Sequence, residues 1–565
     1  MSKSLWFATA ATAMLSTAAI GQSAQFSPQR MSQIVQTLSS DAFEGRGPAT
    51  RGETKTIDYI VSQFKAAGVQ PGGDLVDGKR QWTQRVPLLK SDIVGDPVVT
   101  LQTPAGATRL VQSEQIALRS LMNGQQQLRL DRVPIVFAGF GVTAPERGWD
   151  DFKNVDVRGK VIVVLINDPD FEGGDGDFGG KAMTYYGRWT YKYEEAARRG
   201  AAGVLIVHES APASYGWNTV KNSNSNTMFD IVRDNPAAQH PGLESWITLE
   251  TARKLFADAG VNFDQAKTAA RLKSFQPIDL KSTLSVTLNS KTETITSYNV
   301  AGLVPGKKRL DETILYTGHW DHLGVGKPDA NGDAIYTGAV DNATGIAMII
   351  EQARAFARGP RPDRSVAFLA VTAEEKGLLG SAYYAANPLY PLGKTVAVLN
   401  TDAMNVLGPT KNFSISGTAR LDLLDMLTAE AKRAGRYFTP DPHPEAGGFY
   451  RSDHFSFAKV GVPAISFDSG NDMVVGGVAR GEAAGKEYTA KAYHQPDDEY
   501  SASWDFRGMA NDDLLLHRVG SSLANSNDWP NWSLDSEFRA TRDKSAPERT
   551  INRKAPKEFV SGERG

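Results

Sequence analysis

The 565-residue chain contains no cysteine, which excludes disulfide bonds, thiolate metal ligands and a cysteine nucleophile. Any bound metal ion would therefore have to be held by histidine, aspartate and glutamate. The chain also has no excess of one charge, because 62 Lys and Arg stand against 64 Asp and Glu. A formal net charge of -2 disfavours nucleic acid as a partner.

Long apolar runs are scarce, and the one that stands out is at the start of the chain. Residues 1–24 carry Lys3, then a nearly uncharged stretch from Leu5 to Ile20, then small residues. This order predicts a signal peptide, and the short, Ala- and Thr-rich run disfavours the alternative of a membrane anchor. We therefore expect an exported protein, periplasmic or secreted, with no stable membrane insertion after signal cleavage.

The length requires more than one hydrophobic core, because single domains rarely exceed about 250 to 300 residues. The character of the sequence changes near residue 131, where short β-like runs begin, and again near 286. After residue 532 it is polar, basic and poor in apolar residues, which predicts a loosely ordered tail. The predicted divisions are 1–24, 25–130, 131–285, 286–532 and 533–565.

The region 286–532 alternates β-like and helical runs. This alternation predicts an α/β layered fold around a mostly parallel sheet. A helix beginning near Ala343 is well supported, because Ile346, Ile349, Ile350 and Phe356 recur on one helical stripe.

Metal-ligand residue types follow the β-like runs of this region. Taken singly, each has an ordinary explanation as a solvated carboxylate or a structural histidine. Several carboxylates at one sheet edge would repel each other unless cations neutralised them, so the group predicts bound metal. The residues are His319 and Asp321, Asp341, Glu374 and Glu375, Asp402, and His494.

In this order, and with the segment SDAFEGRG at 40–47, these motifs resemble the family of secreted co-catalytic zinc aminopeptidases, whose relatives include glutamate carboxypeptidase II. The resemblance implies a zinc-exopeptidase α/β/α sandwich, two Zn²⁺ ions and peptide substrates. The region 25–130 would be the N-terminal part of the peptidase domain, and 286–532 its catalytic part.

The resemblance also implies a role for each candidate residue. His319 and Asp402 would bind one zinc ion, Glu375 and His494 the other, and Asp341 would bridge the two, with a cis peptide bond between Asp341 and Asn342. Glu374 would be the catalytic general base. Asp321, two residues after His319, would accept the other imidazole N–H and so support catalysis.

The region 131–285 resembles an inserted, β-rich protease-associated domain. The likeness rests on FAGFG at 137–141, GKV at 159–161 and EAARRGAAG at 195–203. Such an insert implies scaffolding or substrate gating without catalytic residues, so Asp168 and Asp170 are predicted to be loop residues. The other histidines are predicted not to be ligands; they are His208, His240, His322, His443, His454 and His517.

Four functions remain open at this point. The favoured one is an aminopeptidase, because residues 439–450 contain Asp441 and Glu445 but no Lys or Arg, and only Arg451 follows. A carboxypeptidase of the glutamate-releasing kind would need a basic pocket for the substrate carboxylate. The others are a non-catalytic binding protein on the same fold and a cyclase acting on N-terminal glutamine, typically with one zinc ion.

Overall fold

The computed structural model describes residues 26–173, 176–225, 227–326, 328–329 and 331–549. The predicted signal peptide and residues 550–565 of the predicted tail lie outside these ranges. None of the helices within them is long and apolar enough to cross a membrane.

Two sheets share one long strand, Ile278–Val304. The C-terminal half of this strand pairs with Thr83–Ile93 and Arg364–Val371 in the first sheet. Its N-terminal half pairs with Val98–Thr103 and Gln127–Phe137 in the second sheet. The chain therefore folds into two bodies joined by a continuous strand.

The first sheet is parallel at its centre, and most of its outer pairings are antiparallel. Arg309–His319 lies between Arg364–Val371 and Thr395–Thr401, and Ala464–Ser469 pairs with the latter, all in parallel. Its further strands are Gln70–Pro71, Thr83–Ile93, Met228–Ile231, Asn412–Ile415 and Tyr437–Phe438. The predicted α/β class and the mostly parallel sheet are confirmed.

Helices cover both faces of the first sheet. Every residue of Arg364–Val371 is buried, as expected for a parallel strand with both faces covered. On one face lie Pro28–Leu38, Arg51–Ala67, Gly345–Arg358, Asp422–Arg433 and Arg507–Asn525; on the other lie Leu379–Ala386 and His454–Lys459. These layers form the predicted α/β/α sandwich, and the Gly345–Arg358 helix buries the predicted stripe.

The second body has its own hydrophobic cores, whose residues range from Val99 to Leu288. It therefore begins upstream of the predicted boundary at 131, because Val98–Thr103 pairs with the long strand. Its remaining strands are Gly106–Leu110, Ile116–Leu118, Gln127–Phe137, Val161–Leu165, Gly203–His208 and Leu243–Thr248, and its main helices are Trp189–Arg198, Trp217–Ser225, Leu249–Asp258 and Phe263–Ala270.

The predicted loosely ordered tail is wrong for residues 533–549. A short helix, Arg539–Lys544, follows Phe538, and Arg542 is only 1% exposed. The Arg542 guanidinium donates hydrogen bonds to the carbonyls of Thr395 and Val396, at 3.0 and 3.4 Å. The basic composition that suggested a solvated tail includes an arginine that caps strand carbonyls of the first body.

A buried charge cluster links the two sheets through His240. Its Nε2 lies 3.0 Å from Asp230 of the first sheet, and its Nδ1 lies 2.7 Å from Glu244 of the second. Burial alone would lower the pKa of His240, but Glu244 and Asp230 raise it to about 9. His240 is thus an imidazolium at neutral pH, held between two carboxylates.

This cluster should make stability depend on pH in one defined window. Because the folded-state pKa of His240 lies above the ordinary value of 6.5, the stabilisation that the cluster gives the fold is fully present below about pH 6.5. It is lost as pH rises through about 9. The loss should reach about 3 kcal/mol of unfolding free energy. We expect the apparent Tm to fall more steeply between pH 6.5 and 9 in the wild type than in His240→Gln. Equal slopes would contradict the assignment.

Candidate active site

Three parallel strands of the first sheet deliver candidate residues to one edge, because parallel strands end on the same side. Arg309–His319 ends at His319, and Thr395–Thr401 is followed at once by Asp402. Arg364–Val371 is followed within four residues by Glu374 and Glu375. The structure brings these side chains together, as the sequence predicted.

Asp341 lies between the two histidines. Its Oδ1 is 3.2 Å from Nε2 of His319, and its Oδ2 is 3.2 Å from Nε2 of His494. It sits in the tight turn Ala339–Thr344 that precedes the helix Gly345–Arg358, and the peptide bond between Asp341 and Asn342 is cis. The predicted cis peptide bond is confirmed, and the two distances place Asp341 where a bridging ligand would stand.

Two donor sets share the Asp341 carboxylate. In the first, Nε2 of His319 lies 3.2 Å from Oδ1 of Asp402. In the second, Nε2 of His494 lies 3.1 Å from Oε2 of Glu375. The two sets also lie close together, because candidate ligand atoms of His319 from the first set, Glu375 from the second and the shared Asp341 all lie within 4.8 Å of one another. Each set therefore offers one imidazole nitrogen, one carboxylate of its own and one oxygen of Asp341.

These separations suit a tetrahedral divalent cation. Zinc takes imidazole nitrogen and carboxylate oxygen at about 2.0 to 2.2 Å, which puts neighbouring tetrahedral ligand atoms about 3.3 Å apart. The donor pairs described above stand at 3.1 and 3.2 Å. Three protein donors in each set also leave a fourth position for water or substrate.

The electrostatics of the site also call for added positive charge. Burial would lower the pKa of His319, yet Asp402 and Glu374 raise it well above its usual value. Burial likewise opposes charge on His494, but Asp341 and Glu375 raise its pKa to about 10. The carboxylates thus hold protons on both imidazoles. Bound cations would replace these protons and supply the positive charge instead.

Glu374 lies beside the donor sets without belonging to either. Its side chain is 11% exposed, and its Oε2 is 4.0 Å from Nε2 of His319. Among the described residues nothing donates a hydrogen bond to its carboxylate. Burial raises its pKa well above the usual range, and the negative charge of Asp402 adds to the effect against the opposing charge of His319.

Asp321 supports the site in a different way from the predicted one. The Nδ1 atom of His319 lies 3.1 Å from the backbone carbonyl of Asp321 and 3.7 Å from its carboxylate. The carboxylate instead accepts the backbone N–H of Glu374 at 3.1 Å. The prediction that this carboxylate receives the imidazole N–H is therefore wrong, because the backbone carbonyl of Asp321 lies closer to Nδ1 and the carboxylate is directed to the N–H of Glu374.

Three supporting residues were missed at the sequence level. The buried Arg46 guanidinium donates to the carbonyls of Trp320, Leu38, Thr337 and Gly338, which fixes two loops of the site. Asp498 accepts the backbone N–H of Asp341 at 3.1 Å. The Tyr493 ring stacks on His494 with centroids 3.9 Å apart. Arg46 lies in the segment 40–47 that the sequence marked, and Tyr493 and Asp498 lie within four residues of the predicted ligand His494.

The remaining histidines are not ligands in either set. His322 supports the site, because its Nδ1 lies 2.7 Å from Oε1 of Glu375. His454 is fully buried with its ring 4.6 Å from that of Phe449, and burial lowers its pKa to about 3. In the second body, Asp168 and Asp170 accept backbone N–H groups of their own loop, as expected for loop residues.

The second body reaches the rim of the site. The N–H of Met183 donates to the carbonyl of Pro444 at 3.1 Å, and the rings of Tyr185 and Tyr450 lie 6.1 Å apart. A groove of about 490 Å³ opens at this junction and is lined by neither donor set. The insert therefore touches the loop that frames the site rather than the ligands themselves.

Comparisons with known proteins give a family match for the segment that carries the candidate site. Residues 299–515 match the model of Peptidase family M28, which confirms the predicted resemblance over that segment. A "Probable zinc metalloprotease" of Pyricularia oryzae is 36% identical over 104 residues, covering 18% of this chain and 20% of that protein. "Aminopeptidase NAALADL1" of Mus musculus is 32% identical over 130 residues, covering 21% and 15%. The matches thus span about a fifth or less of these two relatives.

Among solved structures, an aminopeptidase from Aneurinibacillus sp. strain AM-1 is similar with a TM-score of 0.48 and 19% sequence identity. The similarity covers 90% of this chain and 96% of that one.

Proposed function

We propose that this chain is a zinc-dependent exopeptidase that removes N-terminal residues from peptides. The observation that carries the proposal is the pair of donor sets that share Asp341, with the carboxylate of Glu374 beside them and accepting no hydrogen bond from the described residues. A non-catalytic binding protein would need neither Glu374 nor an open ligand position. A cyclase with one zinc ion would leave one donor set without a role.

Two zinc ions would be held by the residues described above. His319 and Asp402 would hold one, Glu375 and His494 the other, and Asp341 would contribute one oxygen to each. When bound, the ions would polarise the scissile carbonyl and lower the pKa of the attacking water.

Glu374 would move the proton that peptide hydrolysis requires. Its carboxylate accepts a proton from water as the water oxygen bonds to the carbonyl carbon, and then delivers that proton to the departing amide nitrogen as the C–N bond breaks. The hydrogen bond from its backbone N–H to Asp321 fixes its position.

Tyr493 would donate a hydrogen bond to the carbonyl oxygen as negative charge develops there. Its ring is fixed by stacking on His494. Tyr493 is 43% exposed, and its partial burial and then the charges of Asp341 and Glu375 raise its pKa, so the hydroxyl keeps its proton.

Acidic residues beside Asp402 support recognition of a free N-terminal amine. Thr401 pairs with Phe467 as the last residues of the parallel register, and Asp402 and Asp468 are the residues that follow them along the chain. Burial and the nearby carboxylates of Asp512, Asp441 and Asp402 raise the pKa of Asp468 to about 7. An ammonium group would relieve this crowding of negative charge.

Two arginines favour the second candidate, a carboxypeptidase. Residues 439–451 contain only Arg451 among Lys and Arg, with Arg480, Lys486 and Lys491 as further cations before His494, and the second body brings Arg188 near Arg451. Burial lowers the pKa of Arg188, Tyr215 opposes this effect, and the positive charge of Arg451 adds to it. Within the described residues, neither guanidinium has a carboxylate within 4.0 Å. Such a pair could hold a substrate carboxylate.

The experiment that separates these candidates compares a dipeptide with its N-acetylated form and its C-terminal amide. We expect acetylation to lower kcat/KM by at least about 100-fold and amidation to lower it much less, since a buried acidic site left without its ammonium partner is costly. Retained cleavage of the acetylated peptide, with loss on amidation, would favour the carboxypeptidase.

The proposal also includes export, which rests on residues 1–24, and a protease-associated identity for the insert, which rests on the motifs at 137–141, 159–161 and 195–203. The contacts of the insert with the rim loop are consistent with a scaffolding role.

A further inference from the structure

We infer that Asp498 is a positioning residue that ties the loop of Asp341 to the loop of His494, and thereby keeps the second donor set assembled. This inference rests on the proposed function, because it concerns the binding of the second ion. Asp498 itself contacts neither the substrate nor an ion in this account.

Asp498 is bonded to the bridging loop through both its carboxylate and its backbone. Its Oδ1 and Oδ2 accept the N–H groups of Val340 and Asp341, at 2.9 and 3.1 Å. Its carbonyl accepts the N–H of Ala339 at 2.9 Å and the hydroxyl of Thr337 at 2.7 Å. Asp498 is only 1% exposed, and the four hydrogen bonds that it accepts hold the stretch 337–341 in place.

On its other side, Asp498 anchors the segment that carries His494. Its own N–H donates to the carbonyl of Gln495 at 3.2 Å, one residue after the ligand. The hydroxyl of Tyr488 donates to its Oδ2 at 3.2 Å. One carboxylate thus receives hydrogen bonds from the bridging loop and from the element that precedes His494.

The His494 segment depends on such anchors because little else holds it. The helix Gly477–Lys491, which leads to His494, contains no buried residue. His494 itself has a φ of 58°, in the left-handed region that non-glycine residues rarely adopt. By contrast, His319 and Asp402 lie at the ends of central strands whose residues are paired on both sides.

The two donor sets should therefore respond differently when Asp498 is altered. Asparagine has the same shape, but it keeps one acceptor oxygen and turns an NH₂ group toward a backbone N–H. Two donors then face each other in a buried position. The loop of Asp341 would separate from the loop of His494, while the pairing of His319 with Asp402 would stay in place.

Zinc binding by the full chain tests this directly. In wild type we expect two zinc ions per chain, and in Asp498→Asn we expect the affinity for one of them to fall by roughly 10- to 100-fold, as for other residues that orient metal ligands. The second ion should then be lost on dialysis, with one ion per chain remaining. Restoring the carboxylate in Asp498→Glu should recover part of the affinity.

Asp151→Asn is the matched control. Asp151 is also 1% exposed, and each of its oxygens accepts one N–H, from Val142 and from Trp149 at 2.9 and 2.8 Å, but it lies in the second body. This control should keep two ions with unchanged affinity. Tyr488→Phe, which removes one hydrogen bond to Asp498 and leaves the acid in place, should weaken one ion by a few-fold in a folded protein.

Unchanged zinc affinities in both Asp498→Asn and Tyr488→Phe would overturn the inference. So would an equal loss of both ions in Tyr488→Phe, because that result would indicate general destabilisation. A wild-type chain that binds no zinc would instead contradict the proposed function, so the two failures are distinguishable.

Discussion

Replacing Glu374 by glutamine is expected to lower kcat by roughly 10² to 10⁴ while both zinc ions stay bound. Glutamine has nearly the same shape and preserves the backbone hydrogen bond to Asp321, but it cannot accept and return a proton. Since Glu374 belongs to neither donor set, its loss should leave metal content unchanged. KM should change little, because the loss concerns the transition state.

The measurements are steady-state kinetics on an unblocked dipeptide and zinc content per chain on the same preparation. Glu430→Gln is a suitable control, because Glu430 lies in the helix Asp422–Arg433 and its contacts are with Arg433 and Arg518 on the surface. Turnover in Glu374→Gln close to that of the wild type would remove Glu374 from the chemistry. Loss of zinc from this variant would instead make it a ligand.

Replacing Asp341 by asparagine is expected to displace at least one ion and to lower kcat/KM on the order of 10³-fold or more. Each carboxylate oxygen of Asp341 faces a different histidine, at 3.2 Å in both cases. Asparagine retains one acceptor oxygen and can therefore serve only one donor set. The loss of a cation removes several kcal/mol of transition-state stabilisation, which corresponds to this range.

Ser452→Ala provides the comparison for this prediction. Its hydroxyl donates to Oδ2 of Asp402 at 2.7 Å, so the variant perturbs a ligand without removing one. We expect a loss of about 10-fold or less, within the range for residues that orient ligands. If Asp341→Asn bound two ions per chain and kept wild-type turnover, the bridging role would be contradicted.

The ligand positions could be predicted from sequence because they follow strands whose type and direction the pattern indicates. His319 ends a buried β-like run, Asp402 directly follows one, and Glu375 comes four residues after another, and parallel strands carry such residues to one edge. The family resemblance then supplied the pairing of His494 with Glu375, which spacing alone does not give.

The supporting contacts could not be predicted in the same way, because they depend on where loops turn. Asp321 was expected to use its carboxylate toward His319, but its backbone carbonyl lies closer and its carboxylate accepts the N–H of Glu374 instead. Arg46 is bonded to carbonyls more than 270 positions away along the chain, and such pairings have no local signal.

The other errors have similar causes. The predicted tail contained Arg542, whose charge suggested solvent but whose guanidinium reaches strand carbonyls. Arg188 was not considered with Arg451, because it belongs to the insert and meets the rim loop only after folding. The start of the second body was predicted too late in the chain. The local sequence of Val98–Thr103 would suit a strand of either body, and only its pairing with the long strand places it in the second.

Zinc content measured on active enzyme tests the central claim most directly. The account predicts two zinc ions per chain, loss of peptide hydrolysis when a chelator removes them, and recovery of activity as zinc is returned. Full turnover by a preparation that contains almost no bound metal would contradict the account.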